Sequence, residues 1–89
     1  MPTRYLLVKG KVQGVFYRAS AKKEAVKLGI TGWIRNTANG EVETLVTGEV
    51  AALDKFEAWC RTGPQLARVS EVLVEERQEE QFAVYSIEH

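Results

Sequence analysis

Tyr5-Leu6-Leu7-Val8-Lys9-Gly10-Lys11-Val12-Gln13-Gly14-Val15-Phe16-Tyr17-Arg18 is the stretch from which the architecture of this 89-residue chain unfolds. Its first half alternates Leu6 and Val8 with Tyr5, Leu7 and Lys9, the period of a strand with one buried face. Its second half carries glycine and then opens a helical pattern near Arg18. A turn of this kind aims successive backbone N–H groups into one concavity, beside the electropositive start of a helix. Arg18 adds a planar fork of donors that fits two phosphate oxygens. The combination reads as an anion cradle, and a phosphoryl group is the anion that suits it. It is not a nucleotide loop of the Gly-Lys-Ser/Thr kind, because Val15 follows Gly14, and the three-glycine dinucleotide pattern is missing. Taken alone, the same turn is equally an ordinary strand-to-helix connection with a solvated arginine.

The rest of the chain alternates in a recognisable order. A strand from Tyr5 to about Val12 precedes a helix from about Arg18 to Leu28, with Ala21, Ala25 and Leu28 as its apolar stripe. Gly29 stops that helix. Thr31 to Asn36 forms a second strand, Thr37-Ala38-Asn39-Gly40 a turn, and Glu41 to Thr47 a third strand with Val42, Thr44 and Val46 on one face. A second helix covers about Val50 to Arg61, buries Leu53, Phe56 and Cys60, and ends at Gly63-Pro64. Val69 to Glu75 forms a fourth strand, and an acidic turn leads to a last one, Phe82 to Ile87. The order β-α-β-β-α-β with a short extra C-terminal strand predicts an α+β, ferredoxin-like sandwich: an antiparallel sheet with two helices on one face, one domain over residues 1–89. That architecture does not name a function.

Composition narrows the functional classes. Hydrophobic residues make up 45% and charged residues 27%, with zero net charge, which suits a globular protein and not one that coats nucleic acid. No apolar run approaches the ~20 residues that span a bilayer. The start of the chain lacks the apolar core of a secretory signal, so a cytoplasmic protein is expected. The charge is unevenly distributed: residues 1–35 hold eight of the twelve basic side chains and one acid, Glu24. A local positive field around the turn would steer a small anion.

The inventory of reactive side chains is short. His89 is the only histidine and ends the sequence, where fraying is expected, so it is discounted. Cys60 is the only cysteine. It sits on a core-facing stripe, and Leu66 stands where a phosphatase cysteine would want its arginine, so Cys60 reads as a packed thiol. The acids Glu41, Glu43, Glu75, Glu76, Glu79 and Glu80 read as solvated surface, and no metal site or cofactor is expected. The second informative segment is Gly32-Trp33-Ile34-Arg35-Asn36-Thr37-Ala38-Asn39-Gly40-Glu41-Val42. Asn36 carries both amide donors and an acceptor, which can hold a water in line with a bound phosphorus atom. It can also serve merely to satisfy the backbone of its turn.

Together the two segments resemble the acylphosphatases. Gly10-x-Val12-Gln13-Gly14-Val15-x-Tyr17-Arg18 is similar to the family's first motif, with Tyr17 where Phe is commoner. Gly32-Trp33-Ile34-Arg35-Asn36-x-x-x-Gly40-x-Val42, followed by Gly48, resembles the second, with Ile34 where a smaller residue is usual. Gly63-Pro64, Ala67-Arg68-Val69 and Phe82-x-Val84 match in order, so the likeness covers essentially the whole chain. The resemblance implies hydrolysis of acyl phosphates to a carboxylate and inorganic phosphate, without metal or cofactor. It implies Arg18 and Asn36 as the catalytic residues, and a substrate-binding loop of Gln13, Gly14, Val15, Phe16, Tyr17 and Arg18. It also implies a small-molecule partner, with phosphate as product and competitive inhibitor; composition argues against nucleic acid and membrane, and the lack of an obvious apolar patch suits a monomer. A non-enzymatic binding module, whether for RNA or for a small regulatory ligand, is one competing reading, and a phosphate-sensing or carbamoyl-phosphate-handling domain within a larger maturation system is another. Stacking RNA bases would want aromatic residues on the central strands, where the sequence offers Leu, Val and Thr.

Overall fold

The computed structural model describes residues 1–89. Its elements are β1 (Thr3–Lys11), α1 (Tyr17–Lys27), β2 (Thr31–Asn36), β3 (Val42–Thr47), α2 (Val50–Thr62), β4 (Arg68–Arg77) and β5 (Tyr85–Ile87). The sheet order is β4-β1-β3-β2-β5. Leu6, Val8, Ile34, Val42 and Val46 point to one face of the sheet and are buried with Ala21, Ala25, Leu53 and Phe56 of the two helices. This is the expected ferredoxin-like α+β sandwich. Leu28 is only partly buried at the margin of the core.

One part of the expectation needs correction. The sheet is mixed, because β5 pairs parallel with β2, placing Tyr85 against Gly32 and Ile87 against Ile34. The last strand is also shorter than the predicted Phe82 to Ile87. The cause is topological. β4 ends beside the start of β1, with Arg77 opposite Thr3, while β5 lies on the far edge of the sheet. Residues 78–84 therefore serve as the crossing, and they enter β5 from the same end as β2. Paired hydroxyls pin this crossing: Thr3 and Thr47 bond each other at 2.7 Å, and the Glu80 N–H and C=O bond to Thr3 and Thr47. The opposite end of the sheet then gathers the ends of β1, β2 and β5, which hold the cradle loop, Asn36 and Ile87.

At that end β1 carries an irregularity between Lys9 and Gly10. Gly10 has φ 124°, and a Cβ there would stand 2.1 Å from the Arg68 carbonyl oxygen. Any side chain would push β4 away, so a glycine is required where β1 turns into the loop.

The helix-free face of the sheet carries two aromatic rings that the sequence reading did not count there. The Arg77 guanidinium lies 4.5 Å from the Tyr5 ring centroid, and the Arg35 guanidinium 4.9 Å from that of Trp33. Those arginines are paired in turn with Glu75 and Glu43. Each exposed ring face is thus covered by a neutralised cation, which leaves no open stacking platform of the kind RNA binding uses.

Tyr17 shows how the helices are locked. Its ring is buried against Trp59, with centroids 5.4 Å apart, and its hydroxyl donates to the Cys60 carbonyl at 2.7 Å. In a continuing helix that carbonyl would accept from the N–H four residues on, but this residue is Pro64, which has none. The Tyr17 hydroxyl supplies the missing donor, and burial holds its pKa far above the usual phenol value. Tyr17→Phe is expected to lower stability by about 1 kcal/mol, because a buried carbonyl loses its partner. Equilibrium urea unfolding measures this, and activity should persist. Cys60 is fully buried, with its thiol pushed up to about 12 by desolvation, which suits the packed role expected for it.

Candidate active site

Between β1 and α1 the chain makes a loop whose backbone is unusual. Gly14 and Phe16 both have positive φ, 74° and 64°. Phe16 is the only non-glycine residue in that region, and it is 74% exposed. A bulky residue in this conformation costs about 1–2 kcal/mol and persists only where the surroundings hold it. Alternating left-handed residues turn successive N–H groups toward one side.

None of the backbone N–H groups from Gln13 to Ala19 donates to an acceptor within the protein. The first N–H groups of any helix are free in this way, which accounts for Tyr17, Arg18 and Ala19. The loop residues Gln13 to Phe16 extend the run. Helix α1 has no side-chain cap and no acid in its first turn. Its positive end therefore has no counter-charge or cap within its own first turn.

The Gln13 side chain does something the sequence did not suggest. Its amide Nε2 donates to the carbonyls of Thr37 and Glu41, at 2.9 and 2.8 Å. It clips the loop to the β2–β3 turn, which begins directly after Asn36, and so sets the spacing between loop and asparagine. Within that turn, Thr37 Oγ1 accepts from the N–H groups of Asn39 and Glu41, and the Thr37 N–H donates to the Glu41 carbonyl. The turn's backbone is therefore satisfied by Thr37. The Asn36 side chain makes no hydrogen bond within the protein and is exposed, so the local turn role that sequence alone allowed for it is filled by its neighbour.

Loop, helix start and strand ends enclose a cleft of about 320 Å³ lined by Gly14, Phe16, Arg18 and Asn36, with Val12 and Ile87 as apolar wall. Arg18 has no carboxylate partner, and its Nη1 donates to the Glu88 carbonyl at 3.2 Å. That single bond steadies the guanidinium and leaves most of its donors open. Of the residues named from sequence, Gly14, Phe16, Tyr17, Arg18 and Asn36 line the cleft. Val15 is buried beneath it, and its side chain belongs to the core. Tyr17 contributes its backbone there, because its ring and hydroxyl are committed to the interior. His89, discounted as a terminal residue, is also in the lining. The reason is the parallel β5, which brings the residues after Ile87 to the loop end of the sheet, a consequence of topology with no local sequence signal.

The cleft thus brings together backbone N–H groups without an internal acceptor, a largely free guanidinium and an unengaged amide. The acylphosphatase family model matches residues 4–87. An acylphosphatase of Methylococcus capsulatus is 51% identical over 72 residues, which are 81% of this chain and 78% of that protein. The structure of an acylphosphatase from Coxiella burnetii superposes with a TM-score of 0.95 at 37% identity, covering 98% of this chain and 92% of that one. The crystal structure of acylphosphatase from Bacillus subtilis does so with a TM-score of 0.96 at 33% identity, over 100% of both chains. The chain belongs to the acylphosphatase family, and it is a hydrolase of acyl phosphates.

Proposed function

We propose that the cleft hydrolyses the carboxyl–phosphate bond by in-line attack of a water on phosphorus, without metal. The observation that carries this reading is the run of N–H groups from Gln13 to Ala19 with no acceptor in the protein, in the loop and helix start that line one cleft with Arg18 and the unpartnered Asn36 amide. An acyl phosphate is already activated, since its leaving group is a stable carboxylate. The enzyme has to position the reactants and stabilise charge, not supply a strong acid or base. The loop N–H groups hold the equatorial phosphoryl oxygens as charge redistributes. Arg18 adds a charge-assisted, two-pronged grip. Asn36 orients the water opposite the departing carboxylate.

The cleft lining contains no carboxylate side chain, so the water's proton passes to a phosphoryl oxygen of the substrate. Inorganic phosphate, the product, competes for the same cradle. The enzyme acts as a monomer and as one domain over residues 1–89, in the cytoplasm. No helix is long and apolar enough to cross a membrane.

The testing experiment follows phosphate release from acetyl phosphate in excess chelator, with a simple alkyl phosphate as comparison. Activity should persist on the first and be far lower on the second, whose alkoxide leaves badly. Loss in chelator with recovery on adding a divalent ion would contradict the reading. The same assay on His89→Ala decides whether the imidazole takes part. Substrate-assisted proton transfer leaves the rate nearly unchanged, whereas a general base is worth about 10²–10⁴-fold.

A further inference from the structure

The cleft does not end at the cradle. Ala19 and Ile87 also line a shallow trough of about 490 Å³ that continues along α1, past Lys22, Lys23, Val26 and Lys27. The helix residues stand at i, i+3, i+4, i+7 and i+8, so they share one face, turned away from the buried Tyr17, Ala21 and Ala25. Val26 is 64% exposed, forming an apolar floor between ammonium groups. No carboxylate lies within ion-pair distance of Lys22, Lys23 or Lys27, whereas Lys9, Arg4, Arg35, Arg61 and Arg77 are each paired with an acid. Glu24, the one acid of the helix, stands three residues before Lys27 but forms no ion pair with it. An apolar floor with unpaired cations along it suits a ligand with an apolar body and an anionic end.

Resting on the acyl-phosphate reading above, we infer that this trough is the subsite for the acyl group, and that it selects acyl chains ending in a second anion. The argument is continuity plus charge. A group lying over Ala19 and Ile87 is still attached to the phosphoryl group in the cradle. Lys22 stands one helical turn beyond Arg18, about 6 Å along the axis, within reach of a linear acyl chain of a few carbons. The chain's methylenes cover Ala19 and Ile87, and its terminal carboxylate meets Lys22 and Lys23, with Val26 as the apolar floor just beyond. The excess of bases in residues 1–35 thereby divides into two tasks, Arg18 for the phosphoryl group and the α1 lysines for the far end of the substrate.

Two substrates of equal length isolate the charge: hexanoyl phosphate, which ends in a methyl group, and adipoyl monophosphate, which ends in a carboxylate. Acetyl phosphate, too short to reach the lysines, reports on the cradle alone. The wild-type enzyme should favour adipoyl over hexanoyl phosphate in kcat/KM by about three- to tenfold at low salt, the range that one or two exposed ion pairs supply. In the Lys22→Gln/Lys23→Gln double variant the ratio should fall to near one, and it should do the same for the wild type in about 1 M salt, where the screening length is about 3 Å. Both substitutions are at exposed helix positions, and circular dichroism checks that the fold is kept. A wild-type ratio of one, or an equal loss on both long substrates in the double variant, overturns the subsite while leaving acetyl phosphate hydrolysis and the cradle intact. Failure to hydrolyse any of the three overturns the catalytic reading, and the subsite with it.

Discussion

Asn36→Ala is expected to lower kcat by about 10²–10³-fold, the scale of losing one group that orients or stabilises the reacting atoms, while inorganic phosphate still binds nearly as in the wild type. The split follows from geometry. In the proposed mechanism phosphate affinity belongs to the loop N–H groups and Arg18, which the substitution does not touch, whereas water orientation matters only as the transition state is approached. Asn36→Asp is the sharper variant, because it preserves size but replaces two amide donors with a negative charge facing the phosphoryl group. It should inactivate through repulsion, even though a carboxylate is the better base. Since the Asn36 side chain bonds to nothing in the protein, both variants should unfold near the wild-type urea midpoint. Kinetics alongside phosphate binding by calorimetry makes the distinction. A well-folded, fully active Asn36→Ala enzyme would remove this residue from the mechanism.

Arg18 should fail differently. Arg18→Ala is expected to weaken phosphate binding and to reduce kcat/KM by at least about 10²-fold, because a charge-assisted contact present in both ground and transition states is lost. Arg18→Lys keeps the charge but replaces a planar fork with a point charge on a flexible stem, so it should recover little of the loss. The Glu88 carbonyl that steadies the guanidinium is at the right distance for the arginine's Nη1, and a shorter ammonium would have to choose between that carbonyl and the phosphate. A Lys variant as active as the wild type would show that charge alone suffices.

Much of this arrangement is legible in the sequence, for definable reasons. The alternation of Val42, Thr44 and Val46, the stop at Gly29 and the run Thr31–Asn36 are local signals, and the elements they mark fall within a few residues of their expected bounds. The loop between β1 and α1 is legible because glycine and the start of a helix have local physical meaning. What escapes is set at long range. The parallel pairing of β5 depends on which edge of the sheet β4 occupies. The arrival of His89 at the cleft follows from that pairing, and neither leaves a pattern in residues 82–89. Tyr17 belongs to the core because Pro64, far along the chain, leaves a carbonyl that needs a donor. The clip formed by Gln13 depends on the β2–β3 turn coming alongside. The division of labour between Thr37 and Asn36 is likewise invisible until the turn is folded, since either residue type can satisfy such a backbone.

The central claim is that water attacks phosphorus, with the phosphoryl group seated in the Gln13–Ala19 loop and the carboxylate leaving. Hydrolysis of acetyl phosphate in ¹⁸O-labelled water, with mass analysis of both products after a single turnover, tests it directly. The arrangement of Asn36 opposite the leaving group predicts one labelled oxygen in the inorganic phosphate and none in the acetate. Label in the acetate would mean attack at the carbonyl carbon, and would contradict the proposed roles of the loop, Arg18 and Asn36 together.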